Sequence, residues 1–508
     1  MFKKFLALLA FFLFFNLSIC SAAQIVIFHT NDMHSRVQYD DEHGKTIGLA
    51  TINSVVKASK AKNPATFWFD AGDTFHGMPP INISNGENML LLLNEASIDA
   101  MTAGNHDFNY GSAQLEKLAK KLKFPLLDAN VVRKKNKKPL FNPYKIFSVN
   151  GIKIGVFGLT TPEAAYKTSP KNVTEVEFLN PVDVSNEMIK KLRPKCDVLI
   201  AIMHMGVDAS SEFTSERIAR ETNGIDLIVD GHSHTALAEG IRIKNTLIVQ
   251  AGCYEFCLGK ATIEVENHKI ISKHAELLSK DDLTAIAPIP DKKILDTLKI
   301  VNKNADKLLD EVVAHSDKEI SSDRLLVRRN ECELGNLAAD SIRWATKADI
   351  ATINGGNLRA DLPFGDIRKR DIMAIFPFGN TVRVAEIKGS ILREVLEHSV
   401  EFYPASFGGF LNVSGMTFSY DPSKPPKNRV KSISVAGKPL DDEKIYTIAI
   451  SDFHSAGGDG YSMLTNLKIV GEFGTFEEIF ADYINQGGMK DYEVGRITRL
   501  TEVPLPNE

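Results

Sequence analysis

Gly104-Asn105-His106-Asp107 follows the short apolar run Ile98-Asp99-Ala100-Met101 and precedes a helix-like segment. The four residues therefore read as a loop at the carboxyl end of a strand. Open α/β sheets place their ligands at that end. Asn105 offers a hard carbonyl oxygen, and His106 can move protons. A single such pair is weak evidence, and its weight comes from loops of the same kind elsewhere in the chain.

Toward the N-terminus, the β-branched run from Gln24 to Phe28 leads into His29-Thr30-Asn31-Asp32-Met33-His34. Asp32 and His34 are two apart, so in an extended segment they point the same way. Taken alone they would be a capping Asp beside a surface His, and His29 reads as structural. Leu49, Ile52, Val55 and Val56 keep helical spacing and predict a crossover helix. The apolar run Ala65-Thr66-Phe67-Trp68-Phe69 ends in Asp70-Ala71-Gly72-Asp73, where Gly72 permits a sharp turn that aims Asp73 out of the strand end. His76 reads as a loop residue, and Leu115, Leu118, Ala119 and Leu122 predict another helix.

Toward the C-terminus, Ile152 to Leu159 reads as a strand, and Lys134 to Lys138 as a solvated basic loop. The run from Asp197 to Met203 delivers His204, and the run from Ile225 to Val229 delivers Asp230-Gly231-His232-Ser233-His234. Five strand-like runs thus present Asp, Asn or His at the same end, and parallel pairing would gather those ends. The pattern points to a dinuclear metal centre. Its mixture of imidazole, carboxylate and amide oxygen suits zinc, manganese or iron better than calcium, and it is not the thiolate set of a structural zinc.

The order Asp-x-His, Gly-Asp, Gly-Asn-His-Asp, His and Gly-His-Ser-His resembles the calcineurin-like metallophosphoesterases. The resemblance implies that Asp32, His34, Asp73 and His234 hold one divalent metal. Asp73, Asn105, His204 and His232 would hold the second, with Asp73 shared and His106 catalytic.

The second half has no metal pattern. Its notable pieces are the stretch from Arg328 to Asn336, Asn354-Gly355-Gly356-Asn357-Leu358-Arg359, Phe376-Pro377-Phe378-Gly379-Asn380 and the stretch from Asp452 to Gly460. Arginines in Gly-rich loops can fork onto phosphate oxygens, and Phe beside Gly can stack on a flat ring. Singly, each has a plain structural alternative: a salt bridge, a core Phe, a turn. Together the two halves resemble the secreted 5′-nucleotidase family, which includes bacterial UDP-sugar hydrolases, over nearly the whole mature chain.

The resemblance implies an α/β fold. A four-layer metallophosphoesterase β-sandwich flanked by helices would occupy 24–288, a linker helix 289–312, and a second α/β nucleotide-binding domain 313–503. Arg328, Asn354 and Arg359 would contact phosphate and ribose. Phe378 and Phe453 would sandwich the base, with Asn380 and Asp459 touching base or ribose. Two residues depart from the family pattern. Asn357 stands where a Gly is common, and Asn109 stands where an Asp often orients the catalytic His. Asn109 is expected to lower the His106 pKa while still accepting a hydrogen bond through its carbonyl, giving reduced or pH-shifted activity.

The remaining features set the compartment. At 508 residues the chain exceeds one core, and two domains are expected. Its composition, 44% hydrophobic and 24% charged, is ordinary for a globular protein, and a net charge of −4 gives no reason to expect a nucleic-acid polymer as partner. Lys3 and Lys4, the apolar run from Phe5 to Ile19 and the small residues through Ala23 read as a secretory signal over 1–23. Its removal would leave no transmembrane segment and a net charge of −6. Leu17-Ser18-Ile19-Cys20 also resembles a lipobox, which would put a lipid anchor at Cys20. A periplasmic or secreted protein is expected, with a cell-surface lipoprotein as the variant reading.

The four cysteines after the leader are too few for a disulfide scaffold, although Cys253 and Cys257 could pair across a turn. Asn82, Asn172 and Asn412 begin glycosylation triplets. The expected reaction is removal of the 5′-phosphate from nucleoside monophosphates by a monomer or weak dimer. UDP-sugar hydrolysis, 2′,3′-cyclic nucleotide phosphodiesterase/3′-nucleotidase activity, sulfur-ester hydrolysis and a non-catalytic nucleotide-binding surface protein are the rivals.

Overall fold

A computed structural model describes residues 22–38, 46–168, 170–208, 211–490 and 492–503. The basic and apolar part of the leader, with Cys20, lies outside the described residues. Among the described residues, no helix is long and apolar enough to cross a membrane.

The first half is a sandwich of two sheets with helices on both outer faces. One sheet runs in the order Lys269–Leu278, Leu258–Glu266, Ala23–Thr30, Thr66–Asp70, Ala100–Met101. The other runs Ile241–Ile243, Thr246–Val249, Leu227–Val229, Val198–His204, Ile152–Thr160, Tyr144–Val149. Alternation along the strands builds the layers. Ile25, Ile27, Phe67 and Phe69 meet Ile154, Val156, Val198 and Ile200 between the sheets. Val26, Phe28 and Trp68 face a helix layer formed around Leu49–Lys62. Leu199, Ala201 and Met203 face the layer formed around Pro181–Leu192.

Parallel pairing sets the strand ends level. Thr30 registers with Asp70, and Asp70 with Met101. In the other sheet Thr160 registers with His204, and Ile202 with Val229. The metal-type residues therefore converge from two sheets.

Within the segment 289–312, the helix occupies Lys292–Leu309, capped by the Asp291 carboxylate accepting from the Lys293 and Ile294 amides. Ile294, Leu298 and Val301 share one helix face and join the apolar cluster of the first half. Only Asp310 and Glu311 separate the helix from the strand Val312–Ser316.

The second half is built on a sheet in the order Leu411–Ser414, Ile350–Asn354, Ile445–Ser451, Thr381–Lys388, Lys468–Thr475. Glu333–Thr346 and Phe476–Asn485 cover one side of it, and Gly389–Ser399 the other. Cys253 and Cys257 are free thiols, so no bridge spans that turn. Asn82 and Asn412 are buried, and neither presents an amide for glycosylation.

Candidate metal centre

Two glycines let the central loops interpenetrate. Gly72 has φ 89°, and a Cβ there would lie 2.4 Å from the Gly104 nitrogen. A Cβ on Gly104 would lie 2.1 Å from Asp73 Oδ1. The Asp107 carboxylate then ties the loops together, accepting N–H bonds from Asp73, Thr74, Phe75 and Gly104. Asp32, His34, Asp73, His232 and His234 themselves occupy left-handed backbone, with φ of 48°, 43°, 56°, 78° and 52°. Asp and His enter that region more readily than other non-glycine residues.

These turns bring the side chains together. Asp73 Oδ2 lies 3.2 Å from His204 Nε2 and 3.9 Å from His34 Nε2. Asp32 Oδ1 lies 3.3 Å from His234 Nε2 and 3.8 Å from His204 Nε2. The His34 and His234 Nε2 atoms are 3.2 Å apart. Two overlapping trios result, Asp32–His34–His234 and Asp32–Asp73–His204, each with its ligand atoms within 4.8 Å of one another. Asp32 belongs to both trios, and Asp73 reaches imidazoles of both, so each carboxylate spans the cluster.

His204 and Asn105 show that the residues fit a divalent cation. His204 donates from Nδ1 to the Ala71 carbonyl at 2.7 Å, which leaves Nε2 buried and without a hydrogen-bond partner. Such a backbone contact fixes the tautomer that ligates through Nε2. Asn105 donates from Nδ2 to the Lys167 carbonyl at 2.9 Å, leaving Oδ1 likewise buried and unpartnered. Buried acceptors without donors are costly, and a cation supplies what both lack. Burial opposes a charge on His204, yet Asp73 and Asp32 push its imidazole up to about 10, the mark of a strongly negative setting around Nε2. Burial pushes the Asp73 carboxyl up, but the His204 and His106 imidazoles outweigh it and hold it well below the usual carboxylate range.

His232 stands beside the trios. Its ring lies edge-on to His204 at 5.1 Å and its backbone N–H donates to the Asp32 carboxylate. Its Nε2 lies 3.1 Å from Glu163 Oε2 and 3.0 Å from Lys167 Nζ.

His106 borders the same cluster. Its backbone N–H donates to Asp73 Oδ1 at 2.8 Å, and its ring lies edge-on to His34 at 5.3 Å. Burial holds its imidazole below the ordinary value, against the opposing carboxylates of Asp73 and Glu472. Asn109 does reach His106, with Nδ2 3.2 Å from Nδ1. Asn109 thus turns Nδ2 and not Oδ1 to the imidazole, so it does not take the expected acceptor role toward His106, and its Oδ1 accepts instead from the Thr168 hydroxyl at 2.8 Å.

The substrate-type residues form a second cluster whose hydrogen bonds stay within the C-terminal half. Asn354 Nδ2 donates to Asp459 Oδ2 at 2.9 Å, and Asn357 Nδ2 to Asn354 Oδ1 at 3.0 Å. Burial lowers the Arg328 pKa, helped by the guanidinium groups of Arg359 and Arg324, while Asp459 opposes them. Arg359 lies 4.9 Å from the centre of the Phe378 ring, a cation–π contact. Phe378 and Phe453 are 53% and 43% exposed, which excludes the core alternative for both rings. Asn380 Nδ2 donates to Asp452 Oδ1 at 2.9 Å.

The calcineurin-like phosphoesterase family matches residues 25–236, and the 5′-nucleotidase C-terminal domain family matches residues 312–466. The snake venom 5′-nucleotidase of Crotalus adamanteus is 30% identical, over 92% of this chain and 87% of its own length. The chain belongs to the 5′-nucleotidase family. Another member, the 5′-nucleotidase of Vibrio cholerae, is 29% identical over 87% of this chain and 86% of its own length. The Haemophilus influenzae NAD nucleotidase structure shares the fold, with TM-score 0.78 at 21% identity, covering 95% of this chain and all of that one. The protein is thus a metal-dependent nucleotide phosphoesterase of the 5′-nucleotidase family.

Several site residues were missed in the sequence. His76 is buried, stacks on His106 at 5.9 Å, and lies 3.4 Å from Glu478 of the second half. Glu472, also from the second half, lies 3.8 Å from His106 Nε2, and its backbone N–H donates to the Tyr166 carbonyl. Glu163, Lys167 and Thr168 come from the loop after Ile152–Thr160. Thr160 ends its strand level with His204, so this loop leaves the same sheet end as the metal-type loops and carried the same signal. Glu472 and Glu478 left no local signal, because only the packing of the two halves brings them in.

Proposed function

We propose that the chain is an exported two-metal 5′-nucleotidase that removes the 5′-phosphate from nucleoside monophosphates such as AMP. The domains are those of the resemblance: a signal over 1–23, metal-binding 24–288, a linker helix over 289–312 and substrate-binding 313–503. Asp32, His34, Asp73 and His234 would hold one divalent metal, and Asp73, Asn105, His204 and His232 the other. The metal pair, when bound, supplies the Lewis acidity that activates water and neutralises phosphoryl oxygens. Export rests on the leader, with Cys20 as the anchor if it is lipidated.

The chain's own groups carry the remaining roles. His106 meets the phosphoryl group or the departing alkoxide. Arg328 and Arg359 add charge-assisted contacts to phosphate and ribose. Phe378 and Phe453 take the base between them, and Asn354, Asn380 and Asp459 touch ribose or base. The observation that carries the reading is the pair of buried, unpartnered acceptors, His204 Nε2 and Asn105 Oδ1, beside His106. They form a site arranged for cations next to a proton-moving group.

The direct test is the purified mature protein with AMP, UMP, ATP, UDP-glucose and 2′,3′-cyclic AMP, together with metal analysis after saturation with zinc or manganese. Two ions per chain and preferred AMP or UMP hydrolysis are expected. Preferred cleavage of the cyclic nucleotide or UDP-glucose would transfer the assignment to that rival, and no bound cation would remove the mechanism.

The base clamp has its own prediction. The Phe453 ring lies over Gly458, where a Cβ would meet its Cζ at 2.4 Å. Phe453→Ala removes a stacking face on the order of 1–3 kcal/mol. KM for AMP should rise about tenfold or more, with KM for p-nitrophenyl phosphate nearly constant. Equal changes for both substrates would make Phe453 a packing residue only.

A further inference from the structure

The loop 161–168 ends in two residues that each hold an active-site amide. The Lys167 carbonyl accepts from Asn105 Nδ2, leaving Asn105 Oδ1 free. Thr168, which is fully buried, places its hydroxyl 2.8 Å from Asn109 Oδ1. The Asn109 backbone carbonyl is fixed independently by Asn172 Nδ2 at 2.6 Å. Asn109 Nδ2 lies 3.2 Å from His106 Nδ1.

We propose that Thr168 is a positioning residue that sets the tautomer of His106 through Asn109. The Thr168 hydroxyl donates to Asn109 Oδ1, so the amide must present its N–H to His106. Asn109 Nδ2 then donates to His106 Nδ1, which has to be the unprotonated nitrogen, and the ring proton is confined to Nε2. The reversed arrangement, with Nδ2 donating to the Thr168 hydroxyl and Oδ1 accepting from Nδ1–H, would turn an Nε2 lone pair outward. Nε2 lies 3.8 Å from the buried Glu472 carboxylate, so a lone pair there meets negative charge and an N–H does not. The same preference holds for phosphoryl oxygens, which are acceptors only.

The consequence is an imidazole whose Nε2–H is its hydrogen-bond donor, on the side that faces Glu472. An Asp at position 109 could only accept, and would draw the ring proton to Nδ1. The inference rests on His106 serving the proposed hydrolysis, but the tautomer can be read without turnover.

The experiment is nitrogen NMR of the full mature chain with 15N-labelled histidine, His106 being assigned by its loss in His106→Gln. The wild type should show His106 with Nδ1 unprotonated and Nε2 protonated. Thr168→Val, which keeps shape but removes the donor, should move His106 toward the other tautomer. Its kcat for AMP should fall about tenfold with KM nearly constant, the size of one hydrogen bond made in the transition state. Thr168→Ser should restore both the spectrum and kcat. A protonated Nδ1 in the wild type overturns the inference, and does so even if Thr168→Val fails to fold. A fall in kcat with an unchanged tautomer, or a Thr168→Val protein with wild-type spectrum and turnover, overturns it as well. If the wild-type tautomer is as inferred but no substrate is hydrolysed, the proposed function fails and the tautomer assignment stands.

Discussion

Asp73→Asn is expected to reduce kcat/KM for AMP by about a thousandfold or more. It should also lower bound metal below two ions per chain. Asp73 Oδ2 reaches His204 and His34, while Oδ1 accepts from the His106 amide. Asn keeps the shape and the Oδ1 contact, so the loop should survive. What changes is the second atom, where a neutral N–H2 replaces the oxygen that spans the cluster. Without metal, the neutral amide cannot replace the carboxylate that, with Asp32, pushes the His204 imidazole up, so the apoprotein should unfold somewhat earlier than wild type. With metal, the stabilisation gained by binding should shrink, because it scales with affinity for the folded state. Thermal unfolding with and without manganese separates the two effects. Near-normal turnover with two bound ions would end the metal assignment.

His106→Ala is expected to behave differently. Its kcat for AMP should fall about 10²–10⁴-fold, with KM changed only a few-fold and metal content unchanged. The reason is positional. His106 belongs to neither trio of ligand atoms, and its ring stands between those of His34 and His76. Comparing AMP with p-nitrophenyl phosphate then separates two roles. A ribose alkoxide needs a proton on leaving, whereas p-nitrophenolate leaves without one, so a loss confined to AMP indicates leaving-group protonation. Equal losses indicate stabilisation of phosphoryl charge. Loss of bound metal in this variant would instead make His106 a ligand.

The strand-like runs and the identity of their terminal loops could be read in the sequence because burial and chemistry alternate sharply there. The run from Asp197 to Met203 is apolar throughout and then delivers His204, a signature that survives without structural knowledge. Asp32, His34, Asp73, His204 and His234 fall into the two trios, His232 stands beside them, and the sandwich is built as the resemblance implied. What the sequence could not convey was contact across the halves. Glu472 lies in an ordinary edge strand, and its place beside His106 depends on packing between distant segments. Hydrogen-bond direction was equally hidden. Asn109 was recognised as a partner for His106, but its polarity is set by Thr168, which lies 59 positions away. His76 was passed over because an isolated loop His carries no pattern of its own.

The left-handed turns beneath Asp32, His34, Asp73, His232 and His234 bear on how any survey of variants at these positions should be interpreted. A randomised library sorted for folding alone should already favour Gly, Asn, Asp and His there and reject Val and Ile, because the main chain selects before any cation arrives. Enrichment of Asp or His in such a sort would therefore be no sign of coordination. Coordination would show as the positions where Asn and Gly pass the folding sort and then fail a second one for catalysis.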